Sequence, residues 1–319
     1  MLDDAKALLQ SKKAEERQRA VRLLRRSGGP AALQLLLKAL QDRTSYVAAL
    51  AAEALGEIGD DSVVDQMVER FRFLAEDGPK RDSGCHIRAN LAFAFAKMEC
   101  HVAADALRLG IRTRQIEAGS DTGAHLRANC ALALAQLRAR DALRDIGLLL
   151  YDRGANRIGA RSLRSTTAEA RKAAAQALAR LGDPFGATLL AVKLTYPEGE
   201  APDVLQECMQ ALVALQDERA VEVLVPYLDD EDRHLAAFAA VMLAQTRAPE
   251  ATELLRAVIP GFTGDPLRAV ILALTSLRTD EAEALLRALA ADARKEVRDQ
   301  IVELAPHLVA APGGNVTSS

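Results

Sequence analysis

The apolar positions of this chain fall at helical spacing from close to its start to residue 304. The clearest stretch is Thr44 to Phe71, TSYVAALAAEALGEIGDDSVVDQMVERF. Val47, Leu50, Ala51, Ala54, Leu55 and Ile58 recur every three or four residues, which predicts a helix buried along one face. Gly59 ends it, since glycine enters the left-handed cap conformation without steric cost. Asp60 and Asp61 offer caps to a second helix, whose apolar stripe is Val63, Val64, Met67, Val68 and Phe71. The first helix is rich in alanine, and small side chains let helices approach closely. One such hairpin buries too little surface to stand alone, so further copies are expected beside it.

The copies are present. Ala20, Val21 and Leu24 mark an earlier first helix, and Pro30 opens its partner. Later first helices run over Ile87–Met98, Leu126–Leu137, Ala168–Leu181, Val204–Leu215, Leu235–Leu243 and Leu267–Leu277, each followed by a second apolar stripe. Their matching points, Ser27, Ile58, Met98, Leu137, Leu181, Leu215, Thr246 and Leu277, lie 31 to 44 residues apart. The uneven spacing places insertions near 76–84, 112–123, 151–167 and 196–203. All four fall between the second helix of one pair and the first helix of the next. In a stacked array that position recurs on one edge, so the insertions are expected to form a continuous rim. The pattern predicts an all-α fold, one solenoid of about eight hairpins over residues 1–310, with 311–319 as a disordered tail.

Composition fits this and narrows the function. The 319 residues are 50% hydrophobic and 27% charged, with no Trp and a formal charge of −3. That balance argues against general nucleic-acid binding. Charge is uneven: residues 1–42 carry nine Lys/Arg against five Asp/Glu, and residues 198–250 carry three against twelve. Cys85, Cys100, Cys130 and Cys208 lack zinc or disulfide-scaffold spacing and read as buried small residues. No signal peptide or membrane span is evident, so a cytoplasmic protein is expected. There is no HExxH, GxSxG, Walker loop or CxxC, so no catalytic residue, metal ligand or cofactor is assigned. The run Asp229-Asp230-Glu231-Asp232 reads as a solvated turn and helix cap.

The hairpin VAALAAEALGEIGDDSVVDQMVERF resembles a HEAT repeat, of the short bacterial type also found in phycobilin lyase-like proteins. ARKAAAQALARLGDPFGATLLAVKL at Ala170–Leu194 and VLQECMQALVALQDERAVEVLVPYLDD at Val204–Asp230 are similar to the same pattern. The resemblance spans roughly residues 15–305. It implies a right-handed alpha–alpha superhelix with first helices convex and second helices concave, a module commonly used to bind proteins. It says little of chemistry. The paired His-Glu motifs of the di-iron HEAT-repeat hydroxylases are absent. The basic, aromatic cleft of HEAT-like DNA glycosylases is unsupported in a chain of this charge with no Trp.

Two features stand out as candidate binding groups. Gly84-Cys85-His86-Ile87-Arg88-Ala89-Asn90 is echoed by Gly123-Ala124-His125-Leu126-Arg127-Ala128-Asn129, each opening a first helix after an insertion. His86, Arg88, Asn90, His125, Arg127 and Asn129 read either as a ladder for an acidic peptide at helix N-termini or as bonds tying insertion to helix. Arg171 recurs at the Arg position. The second feature is the stretch 151–172, with Arg153, Arg157, Arg161, Arg164 and Arg171. A flexible Arg-rich loop there, joined by Arg112 and Arg114, would clamp an anionic partner. The function expected is a non-catalytic scaffold binding a protein or peptide along the concave face or the insertion-bearing edge. A bilin lyase-like enzyme or chromophore chaperone, and a structural subunit of a larger assembly, are the alternatives.

Overall fold

The structure is a computed structural model. It describes residues 2–153, 160–197 and 199–309, with the side chains of 140, 160–166 and 309 left aside. The expected tail, 311–319, lies outside the described residues. Helices dominate throughout, broken by a single two-residue β-hairpin among the described residues. The chain divides into two compact units, Met1–Gly186 and Ala187–Ser319.

The helices follow one another as α1 (Leu2–Leu9), α2 (Ala14–Ser27), α3 (Gly29–Ala39), α4 (Ser45–Ile58), α5 (Val64–Glu76), α6 (Gly78–Arg81), α7 (His86–Lys97), α8 (Ala104–Ile111), α9 (Gly123–Gln136), α10 (Leu143–Leu149) and α11 (Ala160–Leu181). Next comes α12 (Pro184–Thr195), at which the two units divide. The remainder are α13 (Pro202–Ala214), α14 (Ala220–Leu224), α15 (Arg233–Thr246), α16 (Ala251–Val258), α17 (Gly264–Leu277), α18 (Asp280–Leu289), α19 (Lys295–Leu304) and α20 (Pro306–Val309).

In the first unit, the first helices α2, α4, α7, α9 and α11 pack side by side, and the second helices α3, α5, α8 and α10 lie against α4, α7, α9 and α11. In the second, α13, α15, α17 and α19 do the same. Alanine sets the spacing. Ala48, Ala51, Ala52 and Ala54 of α4 are buried, as are Ala89, Ala92 and Ala94 of α7. The backbones approach closely at Gly56, where an added Cβ would stand 2.5 Å from the Ala94 Cβ and 2.6 Å from its Cα. Larger side chains fill the layer behind, where Phe71 and Phe95 meet with ring centroids 6.2 Å apart.

The turn between helices is the most regular feature. Gly59, Glu99, Arg138, Gly182, Gln216, Arg247 and Arg278 all have positive φ. Each follows directly one of the matching points read from the sequence. The left-handed residue reverses the chain and lets later amides reach back, as Cys100 N does to Phe95 O at 2.9 Å and Ala139 N to Leu134 O at 3.0 Å. Two of the seven are glycine; the others hold a side chain in a conformation that L-residues enter at a cost.

The insertions are ordered in the parts described. Residues 76–84 contain α6, and 112–123 form the hairpin β1 (Ile116–Glu117) and β2 (Ser120–Asp121). The Arg-rich stretch differs from expectation, because α11 begins at Ala160, eight residues before the apolar pattern starts. Arg161 and Arg164 therefore sit on a helix, not in a flexible loop. Arg157 and the side chains of Arg161 and Arg164 lie outside what is described. No described helix is long and apolar enough to cross a membrane.

Candidate functional site

The repeated Arg position is buried. Arg88 and Arg127 are 1% and 0% exposed, and Arg171 and Arg17 are buried as well. A guanidinium this deep must be paired, or it would cost several kcal/mol (~3–5) in lost solvation. Arg88 donates to Asp82 at 2.9 Å and to Gln115 at 2.7 Å. Asp82 also accepts the α7 amides of Ile87 and Arg88 at 2.9 and 3.1 Å, capping that helix. Arg127 donates to Asp121 at 2.7 Å and to Asp152 at 2.8 Å. Arg171 donates to the Asp152 carbonyl at 2.8 Å and to Thr167 at 2.5 Å. Each Arg thus ties a first helix to an adjoining insertion. Arg88, Arg127 and Arg171 are buried against the insertions, which is the geometry of a tether rather than of an exposed ladder.

The insertions are also bound to one another. Glu117 of β1 accepts the Gly84 amide at 2.7 Å and the Thr122 hydroxyl at 2.7 Å. Burial raises its affinity for a proton. Hydrogen bonds from Thr122, Gly84, Gln115 and Ser83 outweigh that and lower its pKa to about 2. Gln115 reaches back to the Asp82 carbonyl at 3.0 Å. Two members of the expected basic patch are paired, Arg112 with Asp145 at 2.6 Å and Arg114 with Asp152 at 3.2 Å. Arg153 is exposed at the start of the undescribed stretch.

The His and Asn members of the echo behave differently. They stand on the outward face of the first helices, where four positions recur at i, i+4, i+7 and i+11. On α7 these are His86, Asn90, Phe93 and Lys97. On α9 they are His125, Asn129, Leu132 and Gln136. On α11 the corresponding row ends at Arg180. Asn129 donates across to the Ala89 carbonyl of α7 at 3.0 Å, and His125 lies 3.2 Å from Glu169 of α11. These contacts register neighbouring helices along the shared face.

A groove opens on this face, with a volume of about 560 Å3. Its walls are Phe93, Asn129, Leu132 and Gln136, with Ala96 and Ala133 as a low floor and Lys97, Glu99 and Arg180 at its end. Phe93 is 51% exposed, an aromatic ring in water beside a half-buried Leu132. Arg180 makes no ion pair among the described residues. Arg138 lies beside it, donating to the Arg180 carbonyl at 2.9 Å. Lys97 stands 3.8 Å from Glu57. Of the residues singled out from sequence, only Asn129 lines the groove. Phe93, Lys97, Leu132, Gln136 and Arg180 were missed, although extending the His/Asn spacing by two further turns reaches the α7 and α9 members. Nor does the groove lie on the second helices, where a concave surface was expected. There, inter-repeat ion pairs cover the face, Arg108 with Asp141 and Arg112 with Asp145.

No group of three potential metal ligands occurs among the described residues. All four cysteines are buried thiols. Burial pushes Cys85 up to about 11 and raises Cys130 further, so both stay protonated and unreactive.

Comparison with known proteins agrees with the fold. A model of HEAT repeats matches residues 3–73, and one of the PBS lyase HEAT-like repeat matches residues 204–230. No curated protein matches the sequence. Among solved structures, the CpcE–CpcF complex of phycocyanin lyase from Nostoc sp. PCC7120 is 20% identical, covering 87% of this chain and 94% of that one, with a TM-score of 0.44. YibA of E. coli is 16% identical over 87% of this chain and 92% of its own, with a TM-score of 0.56. Kap121p bound to Pho4p is 14% identical over 94% of this chain but 37% of its own, with a TM-score of 0.52. The chain carries HEAT repeats, and its fold is the all-α solenoid of that class.

Proposed function

We propose that this chain is a non-catalytic scaffold that binds a protein or peptide on the outward face of α7, α9 and α11. The observation that carries this reading is the groove between those helices. An aromatic ring half in water beside a leucine, ringed by amides and cations, is the make-up of a recognition pocket: apolar anchorage with a few polar groups to orient the guest. Stacked repeats supply a rigid platform, since α7, α9 and α11 pack on one another and each is tethered by a buried Arg. On the second-helix side of the same repeats, ion pairs link neighbouring helices, Arg108 with Asp141 and Arg112 with Asp145.

The test is affinity purification from the native organism. Wild type would be compared with Phe93→Asp/Leu132→Asp and with Arg153→Ala, each checked for folding by circular dichroism. The reading expects a stoichiometric protein partner on wild type and Arg153→Ala that is lost from the groove variant. Retention of that partner by the groove variant would move recognition elsewhere. A wild type that carries a bound small molecule and no protein would overturn the scaffold reading.

A further inference from the structure

We infer that the occupant of the groove is an acidic amphipathic helix presenting an apolar side chain and a carboxylate one helical turn apart. This rests on the reading that the groove is the partner-binding surface, and goes on to say what chemistry the partner carries. The argument comes from the row spacing. Phe93 and Leu132 occupy one row of the outward face. Lys97 and Gln136 stand four residues further along the same helices, and Arg180 ends the same row on α11. Four residues of α-helix rise about 6 Å. The groove therefore offers an apolar contact and a cationic one at a fixed separation.

The charge at that end is one-sided. Lys97 and Arg180 line it against Glu99, and Arg138 is bonded to the Arg180 backbone carbonyl. Lys97 is held only loosely by Glu57 at 3.8 Å, and Arg180 has no ion pair among the described residues. In the direction of the helix N-termini the next row is Asn90 and Asn129, which are uncharged. Their amides are engaged with the His86 carbonyl at 2.9 Å and the Ala89 carbonyl at 3.0 Å. A carboxylate on the guest gains only when it points toward the C-terminal ends of α7, α9 and α11, so the groove fixes direction as well as charge. A basic guest would find one lining carboxylate, Glu99, against two cations, Lys97 and Arg180.

The size selects the form of the guest. A volume of about 560 Å3 holds several side chains but no folded domain. The guest therefore inserts one face of a single element. On a helix, residues i and i+4 share a face with the required rise, which matches the two rows.

Fluorescence anisotropy with the full chain tests this, using helical peptides locked by a side-chain crosslink. One probe carries Leu and Glu at i and i+4, a second carries Leu and Lys, and a third carries Ser and Glu. The expected order is Leu/Glu tightest, about tenfold over either other probe at low salt, as two cations engaging one carboxylate would give. The preference should weaken as ionic strength rises through about 0.15 M. Lys97→Glu/Arg180→Glu, with an unchanged circular dichroism spectrum, should prefer the Leu/Lys probe. Equal binding of the Leu/Glu and Leu/Lys probes, a preference unmoved by the double variant, or no binding of any probe by wild type would each overturn the inference. Those results are separate from the native-partner comparison above. A partner lost from the groove variant, together with failure of these probes, would sustain the binding surface and reject the acidic helix.

Discussion

Gly56 provides the sharpest test of how the first helices pack. It lies inside α4, where helix propensity alone favours alanine over glycine by about 1 kcal/mol. The structure predicts the opposite sign. A Cβ at Gly56 would come within 2.5 Å of the Ala94 Cβ and 2.6 Å of the Ala94 Cα, against an ordinary carbon–carbon contact of about 3.5–4.0 Å. The obstruction is partly backbone, so no rotamer change relieves it, and α4 and α7 must part by about 1 Å. With backbone in the way the cost falls in the upper part of the overpacking range, about 2–3 kcal/mol, which outweighs the propensity gain of about 1 kcal/mol and leaves Gly56→Ala destabilised by about 1–2 kcal/mol. For a unit of this size, that lowers the melting temperature by roughly 2–8 °C. Gly186 is the internal control, also helical, with its nearest neighbours 3.5 Å from an added Cβ, in ordinary contact. Gly186→Ala should be neutral or stabilising by up to about 1 kcal/mol. Urea unfolding followed by circular dichroism at 222 nm reads both. A Gly56→Ala midpoint at or above wild type would refute the close approach of α4 and α7.

Three further outcomes follow from the tethers and turns. Arg127→Met leaves Asp121 and Asp152 buried without their shared cation and should cost about 3–5 kcal/mol in the same urea experiment; a cost under about 1 kcal/mol would show that the tether is dispensable. Gln216→Gly relieves a left-handed residue and should raise stability by about 1 kcal/mol, whereas Gly59→Ala should lower it by a similar amount; a loss in the first would mean that the φ of 54° at Gln216 is not strained. Glu117 has a folded pKa near 2, below the ordinary carboxylate value, so its contribution is complete above about pH 4.5 and is lost as pH falls toward 2. The gap in melting temperature between wild type and Glu117→Gln should therefore close across that window, and a gap constant with pH would remove Glu117 from the account.

The repeat register was legible in the sequence because it depends on local pattern. Each matching point from Ile58 to Leu277 precedes a left-handed residue, as the spacing required. Glycine flagged that turn only at Gly59 and Gly182, because hydrogen bonds back to the helix hold Glu99, Arg138, Gln216 and Arg247 in the same conformation without a glycine to announce it. The His/Arg/Asn echo was visible, but its division was not. Arg lies two residues after His and so turns inward, while Asn, four after His, shares its outward face. Which carboxylates meet Arg88 and Arg127 depends on folded insertions, with Asp152 twenty-five residues from Arg127. Phe93 illustrates the remaining limit. An aromatic at helical spacing reads as core, and only packing shows that Leu91, Ala94 and Phe95 fill the interior and leave Phe93 in water. The start of α11 was placed late because Ala160–Thr167 has helix-forming residues but no apolar stripe to mark it.

The central claim is that a partner seats on the first-helix face of the first unit. Site-specific photocrosslinking in the native cell tests it most directly, with a photoreactive phenylalanine analogue at Phe93 in one variant and at Leu148, exposed on α10, in another. The account predicts a discrete crosslinked protein from position 93, absent from position 148. The same protein crosslinked from 148 and not from 93 would contradict it.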